Sequence, residues 1–204
     1  MNKLLPSPFL KLVALFFALA GGFLLISNPQ IYPDWFLPGI TGFGAFVYLF
    51  LLILPRLLFR GSITDAEEKH DTLTKLQNVG AIAFVAGFLG TLGLHRLYMI
   101  GLPYDRLLHL VLPYLAVIAL IRFLSVWYPR PIWYAMFYGV TGILLILIGW
   151  EFAEYLSDLY LGTKAFGQGG ENLFSDTLWN VGLGALGTLV GSIRIYKKNK
   201  KTNY

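Results

Sequence analysis

Three pairs of polar side chains stand out in a chain otherwise built from apolar runs: Asp105 with His109, Glu151 with Glu154, and Asp176 with Asn180. The members of each pair are three or four residues apart, which puts them on one face of a helix. A carboxylate one turn from an imidazole fixes its tautomer, raises its basicity or shares a metal with it. Asp105 also suits a helix N-terminus, where it caps free N–H groups and complements the macrodipole. Glu151 and Glu154, followed by Asp158, close their segment, where the macrodipole opposes acids and the acids repel one another. Such a cluster calls for a cation, a proton or an arginine. The plainer alternative is snorkelling to the interface beside Trp150 and Tyr155. Asp105, His109, Glu151, Glu154, Asp176 and Asn180 form the expected catalytic set. Asp105, His109, Glu151 and Asp176 offer oxygens and one imidazole, a donor set for a divalent cation. Arg96 and Arg106 are the expected substrate contacts, placed to pair the acids or grip an anionic headgroup such as phosphate.

The segments that carry these residues are membrane spans. Of 204 residues, 56% are hydrophobic and 13% charged, against roughly 25% charged in a soluble domain. That is too little charge to cover a water-facing surface. The apolar runs are long and unbroken, unlike the alternation of a membrane barrel. We expect an all-α polytopic bundle with six spans: Phe9 to Ser27, Phe36 to Phe59, Val79 to Leu94, Asp105 to Trp127, Ile132 to Leu156 and Phe174 to Ile195. Each approaches the ~20 residues needed to cross the hydrocarbon core. We read one membrane domain over 1–204, with three N-terminal spans in 9–103, a three-span core in 104–195 and a basic tail in 196–204. The polar stretch from Arg60 to Gln77 reads as a solvated loop or surface helix. The glycine-rich connection from Leu161 to Asn172 reads as a lid over the polar cluster.

Lysine and arginine counts set the orientation. With the N-terminus in the cytoplasm, the inner ends hold Lys3, Lys11, Arg56, Arg60, Lys69, Lys75, Arg122, Arg130, Arg194 and the tail lysines Lys197, Lys198, Lys200 and Lys201. The outer ends hold only Arg96, Arg106 and Lys164. Both termini are therefore expected inside, the protein in the cell membrane, and the acidic groups facing out. The tail reads as an orientation signal and a contact for anionic lipid, not for nucleic acid. Lys3, Lys11 and Ala18-Leu19-Ala20 resemble a signal peptide, but the apolar run continues to Ile26, so an uncleaved first helix is expected.

Several chemistries drop out. The chain has no cysteine, which removes disulfides and thiol nucleophiles. It carries neither HExxH nor GxSxG, and three histidines, His70, His95 and His109, do not make a multi-histidine desaturase centre. On the sixth segment, Asp176, Asn180, Gly184, Gly187 and Gly191 form one stripe, and small residues at such spacing let another helix approach. That stripe should carry Asp176 and Asn180 inward.

Asp105-Arg106-Leu107-Leu108-His109, Glu151 three residues before Glu154, and Asp176 with Asn180 and Gly184 together resemble the VanZ-like membrane proteins and the related YjdF-type family. The resemblance covers Tyr104 to Gly191. Glu154 stands where VanZ-like proteins often have Gln, which points to the YjdF-type branch, and the Asn-to-Gly spacing is longer than the commonest form unless Gly182 takes the place of Gly184. The resemblance implies a site more than an activity. Three functions are consistent with these residues: an enzyme acting on a lipid or lipid-linked headgroup, a transporter or binding protein using the acids as a cation or proton site, and a structural clamp.

Overall fold

The computed structural model describes residues 4–59, 67–161 and 173–202. All their regular structure is helical, with no strand among the described residues. The long helices are α1 (Pro8–Ile26), α2 (Pro38–Leu58), α3 (Glu67–Thr91), α4 (Tyr104–Trp127), α5 (Ile132–Leu161) and α6 (Leu173–Thr202). Six helices are long and apolar enough to span a membrane. Short 3-10 turns at Pro29–Ile31 and Leu94–Ile100 join them where proline and glycine interrupt the pattern. Local chemistry sets the ends: Ser7 caps α1 by accepting from the Leu10 N–H at 3.2 Å, with Pro8 at the first turn.

Three helices differ from the sequence expectation in length. α3 begins at Glu67, not Val79, so within the stretch read as a solvated loop or surface helix the part from Glu67 on is helix, continuous with the third span. α5 runs to Leu161 and α6 to Thr202. Polar residues at a helix end lower the mean hydropathy of a window but do not interrupt backbone hydrogen bonding. The glycine-rich connection read as a lid lies outside the described residues.

The chain divides into two compact units, Met1–His95 and Arg96–Tyr204. In the first, α1, α2 and α3 enclose Leu10, Phe17, Leu24, Ala45, Leu52, Ala81 and Phe88. The Phe88 ring meets Phe16 and Phe17 edge-on, each with centroids 5.6 Å apart. At one end of this unit Arg56 is only 1% exposed. It donates from Nε to Gln77 Oε1 at 2.8 Å, and from Nη2 to the His70 carbonyl at 3.2 Å and to Thr74 Oγ1. Gln77 in turn donates to the carbonyls of Leu52 (2.9 Å) and Leu4 (3.2 Å). Arg56 thus locks α2 to α3. Gln77→Leu removes an acceptor from a buried cation and should cost about 2 kcal/mol, read as a lower melting temperature in detergent.

In the second unit α4 and α6 run side by side and α5 antiparallel to both, with Val117, Ile121, Ala135, Ile143, Leu147 and Ile195 between them. The contact of α4 with α6 is made backbone to backbone. A Cβ at Gly187 would land on the Leu110 carbonyl oxygen, and one at Gly191 would sit 2.8 Å from the Tyr114 carbonyl oxygen. Large apolar side chains such as Leu145, Ile146 and Phe152 point outward, as lipid-facing surfaces require. Gly187→Leu should part α4 from α6 and destabilise the protein by about 1–3 kcal/mol or more, again measured by thermal unfolding in detergent.

Candidate functional site

The close packing of α6 decides which of its faces turns inward. Asp176, Asn180, Gly184, Gly187 and Gly191 are all buried, so the small-residue stripe carries its two polar members into the second unit. Asp176 is 7% exposed and Asn180 2%. α4 brings His109 to the same end, 8% exposed, with Asp105 half-buried one turn earlier. α5 brings Glu151, 5% exposed.

His109 stands between two carboxylates. Its Nε2 lies 3.6 Å from Asp105 Oδ2 and 3.6 Å from Glu151 Oε1, just beyond hydrogen-bond distance. Glu151 is within electrostatic range of Asp105 and Asp176, and Asn180 and Thr177 of α6 come close to its carboxyl group. Yet neither Glu151 oxygen has a hydrogen-bond partner of acceptable geometry among the described residues, and neither does Asn180 Oδ1. Buried polar atoms are paired in the great majority of cases, so three unpaired acceptors in one place single this cluster out among the described residues.

Not every expected residue joins this core. Glu154 is half-exposed, and its Oε1 accepts from Trp150 Nε1 at 2.6 Å. Its hydrogen bond is to Trp150 and not to the buried set, although it still feels the charges of Glu151, Asp105 and Asp158. Arg106 places its guanidinium 6.0 Å from the centre of the Trp179 ring, one residue before Asn180. Arg96 sits in the turn ahead of α4, with Nη2 3.9 Å from the Met99 sulfur. The four-residue metal set does not form: among the described residues, no three Asp, Glu or His side chains are grouped closely enough to hold an ion.

Sequence reasoning overlooked Pro113. It lies four residues after His109 inside α4 and has no N–H to give. The His109 carbonyl therefore loses its regular helical partner. A proline four residues beyond a polar helix position was the available signal.

A family model for predicted membrane proteins, DUF2238, matches residues 9–201. The chain belongs to this family. The match spans all six helices, so the kinship extends well beyond the C-terminal half. The family's description is of a predicted membrane protein and assigns no activity, which agrees with the six spans and makes the chain a multi-pass integral membrane protein. No curated protein and no solved structure matches it significantly.

A buried carboxylate without partners costs stability, and such costs persist at functional sites. Glu151→Met should therefore raise the melting temperature in detergent, by an amount equivalent to about 1–4 kcal/mol. A fall of that size would show that Glu151 clamps α4, α5 and α6 together.

Proposed function

We propose that the cluster formed by Asp105, His109, Glu151, Asp176 and Asn180 is a binding site for a lipid or lipid-linked headgroup. The observation that carries this reading is the Glu151 carboxyl group, nine-tenths buried, with His109 3.6 Å away and no hydrogen bond of acceptable geometry to either oxygen. Ionisable groups inside a membrane bundle are costly and by default belong to a function. In this reading His109, between Asp105 and Glu151, is the proton-passing group, and Asp105 orients it. Arg106 beside Trp179 serves the anionic part of the headgroup, and Glu154 with Trp150 forms the lipid-facing entrance. The likeness of the α4, α5 and α6 motifs to VanZ-like and YjdF-type proteins supports a shared site rather than a shared reaction.

The headgroup reading is tested by extracting lipid from protein purified in mild detergent. The intact chain should retain lipid that His109→Ala and Glu151→Gln release, while Phe43→Ala on the exposed face of α2 releases none. A second reading, a monovalent cation or proton site, rests on the same unpaired acceptors. It predicts that sodium or potassium alone, without added lipid, raises the melting temperature of the intact chain, as any ligand selective for the folded state does.

For the site to face outward, both termini must lie in the cytoplasm of a cell membrane, as the lysine and arginine distribution suggests. The absence of cysteine makes single-cysteine labelling clean. Leu161→Cys should react with an impermeant maleimide in intact cells, and Lys200→Cys only after permeabilisation. The reverse pattern would turn the site inward.

A further inference from the structure

Resting on the headgroup reading above, we propose that the group received by Glu151 and Asn180 is the primary ammonium of a zwitterionic lipid, such as an ethanolamine headgroup. The unpartnered atoms are Glu151 Oε1, Glu151 Oε2 and Asn180 Oδ1. All are acceptors. A phosphate also brings only acceptors and would leave each of them unpaired, whereas a primary ammonium brings three donors on one nitrogen. The surroundings favour a cation as well. Glu151 feels Asp105 and Asp176, and Glu154 feels Glu151, Asp105 and Asp158, so the charges acting on these two carboxyl groups are mostly those of other carboxyl groups. A quaternary ammonium carries the same charge but has no N–H to donate, and it needs aromatic faces around it. The acceptors of Glu151 and Asn180 match N–H donors, which a quaternary ammonium lacks.

A methylation series tests the donors apart from the charge. The intact chain in mild detergent is mixed with equal amounts of phosphatidylethanolamine, its N-methyl and N,N-dimethyl derivatives, phosphatidylcholine and phosphatidylglycerol. Retained lipid is read by native mass spectrometry. Retention should fall with each N–H lost, by about tenfold per step, and Glu151→Gln and Asn180→Leu should flatten the series. Because the series is run on the unaltered chain, a variant that fails to fold does not decide the result. Equal retention of all four amines, still dependent on Glu151, would overturn the donor inference and leave the headgroup reading standing. So would a preference for phosphatidylglycerol abolished by Arg106→Ala. If no lipid is retained, or if none depends on Glu151 or His109, the headgroup reading itself fails.

Discussion

The second unit depends on how closely α6 approaches α4. Helices in lipid gain no hydrophobic driving force from meeting one another, so packing contact has to hold them together. Gly187 and Gly191 supply it by letting the α4 backbone at Leu110 and Tyr114 come within van der Waals range. Once that edge of α6 is pressed against α4, the residues one and two turns earlier on the same edge, Asn180 and Asp176, have no choice but to be buried. The position of the polar cluster is thus a consequence of small side chains further along the helix.

The energetics of the cluster run against its own stability. Removing a carboxylate from water is costly unless charge and hydrogen bonds replace what water supplied. His109 lies close to Glu151 without bonding to it, and the Asn180 amide is buried beside it with its oxygen unpaired. The Arg56 network in the first unit gives the contrast. There a buried cation meets Gln77, Thr74 and the His70 carbonyl, so its burial joins helices. Arg56 is tied into the bundle through Nε and Nη2, with Nη1 left without a hydrogen bond, whereas neither Glu151 oxygen is hydrogen-bonded.

Much of this was legible in order. Six spans follow from apolar run length, because a bilayer of fixed thickness translates directly into residue count. The pairing of Asp105 with His109 and the inward stripe of α6 follow from helical periodicity. Other features were not legible. Glu151 and Glu154, three residues apart, looked equivalent, yet one is buried and the other bonds Trp150 at the surface, because a few tens of degrees of helix rotation separate core from lipid. Arg56 read only as a positive charge at the inner end of the second span, because the arginine count says nothing about partners that arrive from the next helix.

The order of residues alone determined the class of the molecule and which residues share a helix face, since both depend on local spacing and on the solvent the chain must face. Only the tertiary structure decided that Asp105, His109 and Glu151 meet, that Glu154 bonds Trp150 instead, and that among the described residues no three acids or histidines group closely enough to hold a metal. Distances between helices depend on the depth to which facing side chains interlock, and that is a property of pairs of surfaces which no single stretch of chain contains.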